Sequence, residues 1–570
     1  MCRIVAVLLV SFACGLATSP AGAGGGPENL LLVVNPADPD SLAVANAFTA
    51  LRGVPPINVF MLPWTESREG TTVARFRDGI LGPVLRAIDA RRLSTQIDCI
   101  VYSSGFPWRI DYGDELPADL KAKDQFPSGS LTGMTMLHAA VHSGAPLWLD
   151  PESNRYYRPV GEAGVPAMTQ GFRGWYGWAK NGDLLEAGGT RYLLSAMLGV
   201  TDGRGNNVAE ITAYLRSAAA ADGTRPPGTI YFMTNSDVRT TTRSGPFPAI
   251  VKALGGLGVK AEVVAGTLPE RKRDVAGLMA GTPSFDWRAS GSQIVPGAIC
   301  ENLTSFGGIF TPTAGQTPLS DFLRAGAAGS SGTVTEPFSL QAKFPHPSIQ
   351  VHYARGASLV EAFYQSVRAP YQLLVVGDPL CQPWATIPEV EVVSAADSQV
   401  LEPGAVVSGT LALEPRASNA AADRFELYLD GLRVGQGGLG ETLALDTTTL
   451  ADGHHELRVV AIAATPVETQ GRQIIPVTAA NHGRGIELSV EPQQVAPGGT
   501  VRIAIKGTGI EGAVVFAPGR VLGRTASAEA ANEVPAELQG RGPLYIGAPG
   551  RGGPPPAERD HAKPVMVPVG

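Results

Sequence analysis

The stretch SQIVPGAIC places Cys300 at the end of an apolar run, and the turn that follows, ENLTSFGG, is rich in glycine, serine and threonine. A thiol set there is a candidate nucleophile. It needs a base to share its proton, because a free thiol titrates near 8.5. The segment KFPHPSIQVHYARG offers His346 and His352 just ahead of a helix, either as that base or as loop and surface residues. Asp286, in SFDW, could position a water or cap a turn. Glu301 and Glu336 flank the same rim, and two carboxylates can act on a glycoside when about 5 or 7–9 Å apart. Thr304, Ser305 and the glycines behind them could offer backbone N–H groups to an anion. Tight packing of those glycines is the other reading. Asp378, in YQLLVVGDP, follows the last apolar strand and is expected to hydrogen-bond its own turn.

Alternating strands and helices must position these groups. NLLLVV (29–34) is a nearly continuous apolar run, as in a parallel strand covered on both faces. A helix follows through Leu42, Val44, Phe48 and Leu51, and strands recur at 58–62, 97–102, 229–234 and 261–265. This spacing implies right-handed crossovers in a mainly parallel sheet with helices on both faces. Residues 104–190 interrupt the rhythm with glycine, proline, tryptophan and tyrosine. They read as an insertion whose aromatics either line a groove or cover the sheet edge. On this picture Cys300 and Asp378 leave the sheet on one common lip.

Beyond Pro383 the texture changes to period-two alternation. Residues 389–480 read as an immunoglobulin-like β-sandwich, with Asp430-Gly431 and Asp452-Gly453 as turn signals. Residues 484–570 read as a smaller β domain with a Gly/Pro-rich tail, whose final KPVMVPV is expected to pair as an edge strand. His454-His455 falls in a sandwich strand, where metal binding is not expected.

The 570 residues carry a net charge of −7, and no Lys/Arg block stands out, so no nucleic-acid partner is expected. Residues 1–23 read as a cleaved export signal with Arg3, an apolar core and Ala21-Gly22-Ala23; a lipoprotein variant would use Cys14. No later run is long enough for an integral membrane segment. Downstream of the signal Cys99, Cys300 and Cys381 remain, an odd number and no complete disulfide framework. Cys99 reads as a core residue, and a Cys300–Cys381 bridge stays open. No P-loop, H-E-x-x-H or C-x-x-C occurs, and GSSG (329–332) is not G-x-S-x-G; neither cofactor nor metal is expected.

The motifs NPADPDSLAVANAFTALRGVPPINVFML, PGAICENLTSFGG, FLRAGAAGSSGTVTEP and GASLVEAFYQSVRAPYQLLVVGDPLCQPWA resemble an uncharacterised family of exported bacterial proteins from genomes that carry the exosortase sorting system. The likeness covers roughly residues 28–386 and implies export and fold rather than a chemistry. More distantly the same region resembles gingipain-type cysteine peptidases, which implies a caspase-like α/β domain. On that resemblance Cys300 matches the nucleophile and Gly377-Asp378-Pro379 the closing turn. The match departs at the base, because DVAGLMAGTPSFDW has no histidine where those peptidases carry one. The resulting expectation is an exported protein with a degenerate or divergent peptidase-like core and a binding or surface-assembly role, its partners a peptide, a glycan or other envelope proteins. The alternatives are an active cysteine peptidase with an unidentified base, and a carbohydrate-binding or glycan-processing surface protein.

Overall fold

The computed structural model describes residues 25–116, 126–144, 146–162, 164–496, 498–551 and 564–569. The export signal and Cys14 lie outside the described residues. Ten strands form one sheet: β1 (Leu30–Val34), β2 (Val59–Met61), β3 (Cys99–Tyr102), β4 (Leu194–Met197), β5 (Thr229–Thr234), β6 (Lys260–Ala265), β7 (Val275–Gly281), β8 (Ile294–Leu303), β9 (Gly329–Thr333) and β10 (Leu373–Gly377). Their spatial order is β6-β5-β7-β8-β9-β10-β4-β3-β1-β2. Every neighbouring pair is parallel except β9 with β10. The sheet is thus two parallel halves running in opposite directions and joined at that pair.

Local chemistry explains the elements. All five side chains of β1 are buried, as a strand covered on both faces requires. Asp38 caps helix α1 (Pro39–Arg52) by accepting from Asp40 N, Pro39 opens it, and Gly53 closes it at φ +63°, a left-handed turn that suits glycine. Helix α2 (His138–Ser143) lies in the insertion. Helices α3 (Val208–Ala221) and α6 (Leu359–Ser366) begin with capping boxes, Asn207 with Glu210 and Ser358 with Glu361. Helices α4 (Phe247–Gly256) and α5 (Ile349–Ala354) complete the set used below.

The insertion's larger aromatics belong to the hydrophobic core. Trp108, Tyr112, Trp148, Tyr156 and Trp178 are at most 2% exposed, so their ring faces are packed inside the protein. The half-exposed Tyr157, Trp175 and Tyr176 lie under Arg368, Arg191 and Arg173.

One hydrophobic core runs from Leu30 to Trp384. A second, from Val392 to Val477, lies within a three-stranded and a five-stranded sheet, the β-sandwich. A third spans Val490 to Val567. Asp430 and Gly431, both at positive φ, turn the hairpin between strands Ala422–Leu429 and Leu432–Gly438. Asp452-Gly453 makes no hairpin. Asp452 instead accepts backbone N–H bonds from Asn481, His482 and Arg484, and the strands on either side of it belong to different sheets. The terminal strand Val565–Val569 pairs with Gly542–Ile546. Buried Glu28 fixes the sandwich to the α/β core by lying 3.0 Å from Arg458 and 3.2 Å from Arg472.

At the exit of β10, Asp378 does more than hold its own turn. Arg52, at the end of α1, donates to Asp378 Oδ2 at 2.9 Å from Nε and 2.7 Å from Nη2, and pairs with Asp222 beyond α3. Burial opposes the guanidinium's charge, yet the Asp378 and Asp222 carboxylates hold Arg52 above its usual range. Replacing Arg52 by Met leaves the two carboxylates without their cation, and should lower the stability of the α/β unit by about 3 kcal/mol or more. A urea titration reads this as a lower midpoint, with partial recovery when Asp378→Asn is added. An unchanged midpoint would show that this ion triad does not hold the margin together.

Candidate functional site

Strands β7, β8 and β9 leave the sheet on one margin. Gly281 stands beside Leu303 in register, and the Thr333 hydroxyl donates to the carbonyls of Thr304 (3.1 Å) and Ser305 (2.8 Å). Beyond that edge Gln316 Oε1 accepts from Thr304 Oγ1 at 2.5 Å and from Phe306 N at 2.9 Å. Glu336 Oε1 accepts from Ser305 Oγ at 3.2 Å and from Phe338 N at 2.8 Å. Thr304, Ser305 and Glu336 therefore share one rim. Phe338 and Ser339 adopt left-handed φ of 60° and 51°, a conformation that strains a phenylalanine and turns its ring outward, 54% exposed.

Cys300 is not on that rim. It lies in mid-strand, because Glu301, Asn302 and Leu303 continue the pairing with Met279, Ala280 and Gly281. The side chain is fully buried. Burial, then the neighbouring Glu301 carboxylate, push its thiol well above the ordinary range, the reverse of what a nucleophile needs. Cys381 is also a free, buried thiol. It accepts from the Tyr353 hydroxyl and donates to the Ala218 carbonyl, so no bridge joins it to Cys300.

The expected bases stand elsewhere. His352, buried on α5, pairs through Nδ1 with Thr169 Oγ1 at 2.9 Å. Burial, then Arg355, depress it to about 3. Helix α5 packs on the face of Met279 and Ile299, where Gln350 Nε2 reaches Met279 Sδ and the Ile299 carbonyl. Strand alternation turns Cys300 to the opposite face. His346 accepts from Ser348 N and is lowered to about 4 by burial, then by Arg243. Asp286 caps the short helix Trp287–Ser290, accepting from Arg288 N and Ala289 N; that is the ordinary role of such a residue.

Asp378 lies on the other margin. Gly377 is paired with Gly329, and Gly329 with Ile299, so β10 runs out where β8 and β9 run in. The common lip expected for Cys300 and Asp378 does not form, because the antiparallel junction turns β10 around. Three amides of the expected anion cradle are already committed: Phe306 N donates to Gln316 Oε1, Gly308 N to the Thr333 carbonyl and Ile309 N to the Phe306 carbonyl. A Cβ on Gly332 would lie 2.3 Å from the Gly307 carbonyl carbon, so these glycines serve close packing.

Sequence reasoning missed Arg243. It is buried, and Nη2 donates to the carbonyls of Ala280 and, at 3.1 Å, Glu301. Its one signal was an arginine inside TTTRSGPFP, where no surface helix calls for it. Glu301 points inward, accepting from Ser331 N at 2.5 Å and Ser331 Oγ at 2.8 Å. Burial raises it to about 7 against the pull of Arg243. Among the described residues no cluster of three or more His, Cys, Asp or Glu could hold a metal, and no helix is long and apolar enough to cross a membrane.

No family model and no curated protein matches the chain. Solved structures with partial likeness include fibronectin(III)-like modules of Clostridium thermocellum CbhA (15% identity, 32% of this chain, 93% of that chain, TM-score 0.14). Another is Bacteroides ovatus SGBP-B, solved with a mixed-linkage heptasaccharide (14% identity, 32% and 47%, TM-score 0.20). Dimeric latent PorU of Porphyromonas gingivalis also matches (11% identity, 32% and 20%, TM-score 0.13).

A carboxyl with a raised pKa keeps in the folded state a proton that the unfolded chain has released. Glu301 therefore removes stability as pH rises from 4.5 to about 7. His346 and His352 act oppositely, costing stability as pH falls below 6.5. Glu301→Gln should gain about 3 kcal/mol on the parent across the Glu301 window. Denaturant midpoints at several pH values check this, and a difference independent of pH would mean Glu301 is not held protonated.

Proposed function

We propose that this chain is an exported ligand-binding protein built on a caspase-like α/β unit, residues 28–386, whose cysteine takes no part in chemistry. The observation that carries the reading is Cys300 itself, buried in mid-strand with its thiol held protonated and both histidines on other business. The caspase-like assignment draws on the order of elements: β8 with its cysteine, the Gly/Ala-rich segment, β9, and β10 ending at Gly377-Asp378-Pro379. The position that would supply a base, the exit of β7, holds Thr282, whose N–H donates to Asn302 Oδ1 at 3.0 Å. That exchange of side-chain and backbone bonds makes a closed rim.

Residues 389–480 and 484–570 then act as immunoglobulin-like and smaller β modules that space the α/β unit or present it to envelope partners. Peptidase activity would need the Cys300 thiol moved past three residues of paired strand.

A peptide acyloxymethyl ketone probe tests this directly on the intact protein. Wild type and Cys300→Ala should label equally, at background, and neither should hydrolyse peptide. Labelling that disappears in Cys300→Ala would establish a working nucleophile and end the non-catalytic reading.

A further inference from the structure

A cleft lies in the insertion, lined by none of the β7–β9 rim residues. Its volume is about 790 Å³, within the range of sites that take small ligands. Helix α2 and the segments around Trp178 and Gly188–Arg191 form its walls. Four charged side chains line it: Asp150, Arg155, Lys180 and Arg191. Asp150 lies 3.7 Å from Arg155, so those two charges offset one another. Lys180 and Arg191 are exposed and make no ion pair among the described residues. The Arg191 guanidinium sits 4.7 Å from the Trp175 ring, which fixes its position and leaves its charge unneutralised. The cleft therefore holds two surplus cations in a protein whose net charge is −7.

Two further polar groups of the lining point the same way. Trp178 is 1% exposed, and its indole N–H meets no acceptor among the described residues. The Ser153 hydroxyl is likewise without a partner there. A buried donor left unsatisfied costs about 1–3 kcal/mol, and an acceptor-rich ligand would recover that. The remaining wall is largely apolar, with Leu137, Ala139, Ala140, Leu147 and Tyr192. Such a wall can take the C–H face of a sugar ring.

We propose that this cleft binds a carboxylate-bearing oligosaccharide of the uronate type. Lys180 and Arg191 would meet the carboxylates, and Trp178 and Ser153 would meet ring or hydroxyl oxygens. The proposal rests on the binding role argued above and gives it a ligand class. An acidic peptide is the rival occupant. A cleft with isolated donors, lined by a helix and loops with no strand longer than two residues, suits it less, since a peptide is held in register by a strand edge or by side-chain pockets.

Calorimetric titration of the full chain with tri-galacturonate tests the site, with its methyl ester and hexaglutamate as comparators. Binding of the uronide is expected, weakened by salt. The methyl ester, with the same rings and no charge, should bind at least about tenfold more weakly, as should the uronide to Lys180→Ala/Arg191→Ala. Both side chains are exposed, and an unchanged thermal midpoint confirms that the variant is folded; Ser153→Ala gives a second, uncharged probe of the same cleft. No uronide binding, equal binding of the ester, preference for hexaglutamate, or full binding by the folded double variant would each overturn the proposal. The ketone probe distinguishes this failure from failure of the binding role: a silent Cys300 with no uronide binding removes the cleft's ligand alone.

Discussion

The reversal of direction between β9 and β10 governs everything else in the α/β unit. Backbone pairing fixes it, with Gly329 opposite Gly377 and Thr333 opposite Leu373. A parallel sheet offers its loops at the carboxyl ends of its strands. A sheet that turns round in the middle has two such margins, one for each half. The β7–β9 rim with Ser305 and Glu336 occupies one margin. The Arg52–Asp378–Asp222 triad closes the other, where α1 and α3 meet the end of β10.

Each margin is stabilised by different chemistry. The Asp378 side holds full charges out of water, and an Arg52 fork paired to two carboxylates offsets their desolvation. The rim side relies on neutral hydrogen bonds through Thr333, Gln316 and Asn302, with Glu301 and Arg243 buried beneath. Arg243 ties β7 to β8 through the carbonyls of Ala280 and Glu301, and the Glu301 side chain ties β8 to β9 through Ser331. Burial, then Glu301, raises the Cys300 thiol rather than activating it.

Much of the fold was legible in the sequence. Apolar runs such as LLLVV and LLVVG marked central strands, because a strand covered on both faces has no polar side to show. Direction was not legible. A parallel and an antiparallel neighbour look alike when both are fully buried, so YQLLVVG gave no hint that β10 enters upside down. The end of β8 was misjudged for a related reason. Glu301 and Asn302 are polar and suggest a turn, yet their side chains find Ser331 and Thr282 inside the protein and the strand continues. The insertion's tryptophans were ambiguous because bulk aromatic surface serves a groove and a core equally well; only burial separates the two.

Cys300 belongs to the core and not to a reactive rim. Native-state alkylation with iodoacetamide, read peptide by peptide in a mass spectrometer, tests it most directly. Cys300 should react as slowly as Cys99 and Cys381, all three being released together by denaturant. Rapid modification of Cys300 in the folded protein, with the other two still protected, would put its thiol at an open site instead.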